Sequence, residues 1–361
     1  MEILVAFLVF SLLVIVHEYG HYIVAVKNGI AVEEFAVGMG PLVWSRSKGE
    51  TLFTLRLLPL GGYCKMKGME PPEQLKGLQN EEIVSDDEDS FQSKTVWQRI
   101  SVIFAGSFFN FLLLAVIMLL LVSVNGAPSL TVGSVSEGFP AAEAGLIPGD
   151  TIISVDSRTM HIFQNLQVAL SNSNGREVEL VIERGGELIN KYVTPTLSGN
   201  NYVIGILTTN RAGLFSSDDN SINFFGVIHT SFWQSIHFAG LIISSLINLI
   251  TGGFSLDGLA GPVGLITGIG QVYEAAIYYG AWQAATSILT LAALLSVNLA
   301  IFNLLPVPPL DGGLLVFLFI EAVRGKPISP EKEGFVKMVG VALLILLIIA
   351  VSFNDIMRLF N

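Results

Sequence analysis

A single cysteine, Cys64, in 361 residues leaves nothing for an internal disulfide and gives no sign of a redox compartment. Charge is scarce too. Asp, Glu, Lys and Arg make up only 14% of the chain, and 19 basic residues are outnumbered by 30 acidic ones, for a net charge of −11. That balance argues against nucleic acid as a partner, which needs clustered Lys and Arg. No tandem repeat is visible. The first apolar run has no basic segment before it and no small-residue cleavage site after it, so it is expected to stay in place as a helix rather than be cleaved as a signal peptide. What abounds is apolar: 52% of residues, with a mean hydropathy of +0.64. The composition excludes an ordinary soluble domain and points to a polytopic membrane protein, with lipid as its surroundings.

Crossing a bilayer takes about 20 apolar residues. Residues 3–26, 100–124 and 336–353 meet that, and 286–305 does so before ending in Pro-rich sequence. These define four expected transmembrane segments: 1–26, 100–124, 284–320 and 336–354. Residues 222–250 are uncharged but carry His229, Trp233, His237 and several serines, a composition that fits a span or an interfacial helix. The 27–99 segment contains alternating pieces such as ETLFTLRLLPLGGYCKM, which predict strands with glycine turns, and an acidic loop, NEEIVSDDEDS. It is rich in basic residues, among them Lys27, Arg46, Arg56, Lys67, Lys76 and Arg99, and so is the 321–335 loop with Arg324, Lys326 and Lys332. The positive-inside rule puts both in the cytoplasm and both termini outside. The 128–219 segment, with ten acidic against five basic residues, then lies outside.

Against this background the stretch VFSLLVIVHEYGHYIVAV is anomalous, because His17, Glu18 and His21 lie within a membrane helix. Each ionisable group at that depth costs about 2.5–3.5 kcal/mol on insertion scales. A metal and an internal water pocket would compensate. Positions i and i+4 share a helix face, so His17 and His21 can grip one ion, and zinc accepts imidazole nitrogen while leaving a position open when catalytic. Glu18 is placed to act as general base toward an attacking water and to pass the proton to a leaving amine. A third ligand is required, a carboxylate, His or Cys at the same depth. His229 and His237 sit with Ser and Trp, which suits an interfacial belt, and His161 falls in the soluble segment. Asp311, in SVNLAIFNLLPVPPLDGG, follows an apolar run broken by Pro306, Pro308 and Pro309, and irregular backbone at membrane depth is tolerated around a cavity or within protein. A helix-end Asp-Gly turn just outside the membrane would read the same way.

HEYGH in a first membrane helix together with NLLPVPPLDGG in a late one resembles the site-2 protease family of intramembrane zinc metalloproteases, closest to its bacterial regulators of sigma-E proteolysis. The resemblance implies that Asp311 is the third ligand of one catalytic zinc. FAVGMGP, with Gly38 and Gly40, and LPLGGYCKM, with Gly61 and Gly62, resemble the family's membrane-associated β-hairpin. SKTVWQRISVIFAGSFFNF resembles its second-span motif through Gly106 and Asn110, with Ser107 where the family usually has proline. LAGPVGL, with Gly261, Pro262 and Val263, resembles another family segment. Asn298 and Asn303 match family asparagines near the site, which implies contact with substrate backbone or with a developing oxyanion, although polar residues in lipid also serve as helix–helix contacts. The hairpin, within 51–64, would hold substrate extended by strand addition. The implied reaction is cleavage of single-span membrane proteins already trimmed outside, such as anti-sigma factors and remnant signal peptides, in a bacterial inner membrane.

The outer segment LTVGSVSEGFPAAEAGLIPGDTIISVDSRTM resembles a PDZ domain, expected over 128–198, which binds an extended peptide or a chain's C-terminus at a strand edge. There is room for one such domain, expected to filter or dock trimmed substrates. The fold class expected is a polytopic α-helical membrane protein of four spans, with a membrane-associated β-hairpin and one inserted extracytoplasmic β-rich α+β domain. Zinc ligands from two helices must meet at one depth, towards the cytoplasm, so an odd number of crossings separates the outer domain from Asp311. Residues 199–283, including 222–250 and its continuation GPVGLITGIGQVYEAA, are therefore expected as an outer linker with an amphipathic or re-entrant element. A metal transporter would need polar groups along a whole pathway, and the outer half of the first span offers only Ser11; a non-catalytic adaptor would be expected to have lost one of His17, Glu18, His21 or Asp311.

Overall fold

The computed structural model describes residues 2–69, 87–199, 201–218, 220–252 and 262–360. Most of the expected acidic loop, together with Lys76 and Gly261, lies outside them. Two compact units result, one formed by 1–114 with 242–361 and the other by 115–241.

In the first unit, α1 (Glu2–Lys27) runs through the HEYGH stretch without a break, because no proline interrupts it and Gly20 stands alone among helix-compatible residues. Strands β1 (Val32–Lys48) and β2 (Thr51–Met66) follow. They form more than one hairpin. Glu34, Phe35, Ala36 and Val37 each pair twice, once within 52–55 and once within 62–65, so the first half of β1 lies between the two halves of β2. Leu55 pairs with both Val37 and Trp44, so the chain folds back between them. Gly38 and Gly40, both at φ 84°, allow that reversal, and Gly61 at φ 78° serves the next one. The outcome is a four-segment sheet with 62–66 as one edge, and α1 packs against β2.

Helix α2 (Val96–Asn125) leads into the second unit. There the strands are β3 (Ala127–Val135), β4 (Thr151–Val155), β5 (Arg158–Thr159), β6 (Val178–Arg184), β7 (Glu187–Val193), β8 (Thr196–Ser198), β9 (Asn201–Val203) and β10 (Ile206–Arg211), with short helices α3 (Pro140–Glu143) and α4 (Phe163–Asn172). The main sheet has the order β10-β3-β4-β6-β7. Alternation in β6 buries Val178, Leu180 and Ile182 against Ile152, Leu166 and Val132. The sheet extends past the expected end at 198, because β10 returns to pair with β3, from Ile206 beside Val135 to Arg211 beside Ala127. Asp150, fully buried, accepts hydrogen bonds from Ile147 N–H at 2.9 Å and from Arg184 at 2.6 and 2.8 Å. The Arg184 guanidinium holds its carboxyl below the usual carboxylate range. A depressed folded value means stability that is present above the unfolded value of about 3.9 and is lost as pH falls through the folded one. Asp150→Ala should destabilise this domain by about 3 kcal/mol, read as faster hydrogen exchange across 127–211 at neutral pH, with the difference from wild type shrinking under acid.

Helix α5 (Phe224–Thr251) begins in the second unit, where the Trp233 ring stacks on His161 at 3.7 Å between centroids and 4° between planes. Back in the first unit, α6 (Pro262–Ile277) packs on α1, α7 and α9. Residues 284–320, expected as one span, are two helices: α7 (Ala281–Asn303) and α8 (Asp311–Arg324). Pro306, Pro308 and Pro309 supply no backbone donors between them, and the turn is held by Val307 N–H to Leu305 O and Leu310 N–H to Val307 O. Arg99 of α2 pairs with Glu321 of α8. The chain closes with α9 (Pro330–Phe360). Among the described residues five helices are long and apolar enough to cross a membrane: α1, α2, α5, α7 and α9. α5 is the one beyond the four expected.

Candidate active site

His17 and His21 lie on one face of α1, one turn apart, and both are almost fully buried at 6% and 5% exposure. Two glycines let that face press against α2. A Cβ at Gly20 would stand 2.5 Å from the Ala105 carbonyl oxygen, and one at Gly106 would overlap the His21 ring and come within 2.8 Å of His17 Cε1. The approach puts α2 backbone within reach of the imidazoles: His21 Nδ1 is 2.9 Å from Val102 O. His17 Nδ1 is 3.2 Å from Asn110 Nδ2.

The Pro-rich turn delivers the third group. Asp311 is the first residue of α8, and the two glycines after it let that helix start fold back on the turn; a Cβ at Gly313 would sit 2.6 Å from Pro308 Cα. Asp311 Oδ2 thereby lies 3.1 Å from His17 Nε2 and 3.3 Å from His21 Nε2, while the two Nε2 atoms are 3.2 Å apart. The carbonyl at His21 Nδ1 requires a proton there, which leaves a lone pair on His21 Nε2. Asp311 Oδ2 is buried, and the two imidazole nitrogens are the polar groups it faces. Lone pairs therefore converge on one point, an arrangement that a cation relieves. Ligands 2.0–2.1 Å from a tetrahedral zinc stand about 3.3 Å apart, which the three separations match, so these residues could hold the ion.

Val14, His17, Glu18, Leu299, Asn303, Pro309, Leu310 and Asp311 line a cleft of about 270 Å³ beside this cluster. Glu18 accepts a hydrogen bond from the Cys64 backbone N–H, in the edge segment of the sheet. Gly62 is beside it, where a Cβ would come 2.7 Å from Ala36 O and 3.6 Å from Glu18 Cγ. Asn303 Nδ2 is 3.2 Å from His17 Nε2. Asn298 is not brought here. Five residues away on α7 it turns about 140° from Asn303 and does not line the cleft. His229 lies beside His161 and Trp233 within the second unit. The carbonyl of Val102 leaves no trace in the sequence, whereas Asn110 is singled out there through its second-span motif, without a role.

The comparisons with known proteins agree with this chemistry. The model of peptidase family M50 matches residues 5–347. The zinc metalloprotease RasP of Bacillus licheniformis is 35% identical over 432 aligned positions that cover 100% of both chains. The regulator of sigma-W protease RasP of Bacillus subtilis is 34% identical, covering 98% of this chain and 97% of its own, and RasP of Geobacillus kaustophilus is 33% identical over 100% and 99%. Among solved structures, the PDZ domain of an SdrC-like protein from Listeria monocytogenes matches 23% of this chain and 88% of its own, at 22% identity and a TM-score of 0.21. With the family model spanning nearly the whole chain and full-length relatives above 30% identity, this multi-span membrane protein belongs to peptidase family M50 and is a zinc metalloprotease of the site-2 type.

Proposed function

We propose that the chain performs site-2 cleavage of single-span membrane proteins at the cluster of His17, His21 and Asp311, which hold one zinc ion, with Glu18 as general base. The observation that carries this is the buried convergence of Nε2, Nε2 and Oδ2 within about a tetrahedral edge of one another. Zinc, when bound, polarises the scissile carbonyl as a Lewis acid. Glu18 takes the proton of the attacking water and returns it to the departing amine. Asn303, whose amide is beside His17 Nε2, donates to the oxygen on which charge develops. A helical peptide bond is already hydrogen-bonded, so substrate is held extended along the edge segment 62–66, whose Cys64 N–H already faces Glu18. Gly38, Gly40, Gly61 and Gly62 shape the sheet around that edge.

The anti-sigma factors and remnant signal peptides that the family resemblance implies are the proposed substrates, a reading supported by the relative named regulator of sigma-W protease RasP. The PDZ-like domain takes a peptide or a protein C-terminus at a strand edge and restricts entry to substrates already trimmed outside. The proposed topology keeps four crossings, with the active site towards the cytoplasm of a bacterial cell membrane and both termini outside. Two contacts support it. Gly264 N–H, at the start of α6, donates to Asp355 near the end of α9 at 2.8 Å, and α6 ends four residues before α7 begins, so both ends of α6 belong on the outer side. Trp233, nine residues into α5, stacks on His161 of the β-rich domain, which keeps the first half of α5 out of the membrane core.

Full-length protein in vesicles, given one single-span substrate in intact and trimmed forms, tests this reading. Trimmed substrate should be cut, a zinc chelator should stop the cut and added zinc should restore it. Deleting 127–211 should extend cleavage to the intact form. Cleavage that survives complete zinc removal would sink the mechanism, and unchanged selectivity after the deletion would sink the filter.

A further inference from the structure

Asn110 is fully buried midway along α2, and its backbone carbonyl accepts the Ser296 hydroxyl at 2.8 Å. Among the described residues its side chain makes one hydrogen-bond contact, with His17 Nδ1, 3.2 Å from the amide. Asn110 Oδ1 is buried with no partner of its own, so nothing else in the described structure decides which way the amide faces. The orientation of an amide is interchangeable by a half turn, and here the His17 tautomer decides it. His17 Nε2 faces Asp311 Oδ2 and His21 Nε2, the point where a ligand lone pair is required. With the lone pair on Nε2, Nδ1 carries the proton and needs an acceptor, which is Asn110 Oδ1 after the half turn. His21 has the matching arrangement, Nδ1–H to the Val102 carbonyl at 2.9 Å. Both imidazoles are then oriented from behind by α2, one through a backbone carbonyl that substitution cannot remove and the other through a side chain that it can.

We infer that Asn110 is a positioning residue of the zinc site, fixing the tautomer and ring orientation of His17 through its side-chain oxygen. The inference rests on the metal reading above. Metal-ligating histidines depend on such outer partners, whose loss costs about 10–100-fold in metal affinity. The test is zinc affinity of the detergent-solubilised full chain, measured by competition with a chromogenic chelator, so that no turnover is needed. Asn110→Leu keeps the size, suits lipid and has no acceptor; zinc should bind about 10–100-fold more weakly. Asn110→Asp keeps an acceptor at the same place and should recover most of the loss. Ser296→Ala removes a hydrogen bond to the Asn110 backbone without touching His17, and should leave affinity unchanged. Wild-type affinity in Asn110→Leu, or an equal loss in Asn110→Asp and Asn110→Leu, would overturn the inference while the metal reading stands. A wild-type chain that binds no zinc would overturn both.

Discussion

Glu18→Gln should abolish cleavage while zinc stays bound. The glutamine side chain has the size and shape of glutamate and retains an oxygen to accept the Cys64 N–H, so the cleft keeps its wall and the edge segment keeps its place. What is lost is basicity. Glu18 is one residue from His17 and shares its cleft, yet it is not among the groups whose ligand atoms converge, so metal retention does not depend on it. General acid–base catalysis is worth about 10²–10⁴-fold, and because the same carboxylate both receives and returns the proton, the upper end applies. The measurement is cleavage of a trimmed single-span substrate in vesicles, with zinc content determined on the same preparation. Equal cleavage by both proteins would remove Glu18 from the mechanism, whereas loss of zinc along with cleavage would recast it as part of the metal-holding structure.

How much of this was legible beforehand depends on whether the information is local. His17 and His21 at i and i+4 in an apolar helix need only helical periodicity to share a face, and that face is where the structure puts them. Asp311 was legible as an acid after a proline break, but the break itself is sharper than its apolar composition implies. Composition reads 284–320 as one long greasy segment, whereas the missing donors at Pro306, Pro308 and Pro309 split it, and Gly312 and Gly313 let the second helix start fold against the turn. The sheet was harder. Alternation identifies a strand but not which neighbour it takes, and Glu34 to Val37 each take two. β10 joins β3 across seventy residues for the same reason, a long-range pairing with no local mark. Hardest of all is Val102, whose side chain is an ordinary buried valine and whose contribution is its carbonyl oxygen. α5 is apolar and long enough to span, and composition alone gave no sign that Trp233 would stack on His161.

Asp311→Asn should release zinc, and with it activity, by a route distinguishable from the loss of Glu18. Asparagine is isosteric and Asp311 makes no capping hydrogen bond to lose among the described residues, so α8 should still begin at this position and the Gly312–Gly313 fold-back should persist. The substitution removes the negative charge and leaves a neutral amide whose oxygen is a weaker ligand for a hard or borderline cation. Within a buried site the remaining ligands are two neutral imidazoles, so a divalent ion there would lack any charge compensation from the cluster itself. The loss should therefore exceed the roughly 10–100-fold typical of an outer-shell partner. Two readings separate the variants. Zinc titrated into Asp311→Asn should restore part of the cleavage, because the base is intact and only affinity has fallen. Zinc titrated into Glu18→Gln should restore none, because the ion is already present and the proton acceptor is not. Wild-type zinc retention in Asp311→Asn would exclude the aspartate as a ligand. The buried Oδ2 at 3.1 and 3.3 Å from the two imidazoles would then need another explanation.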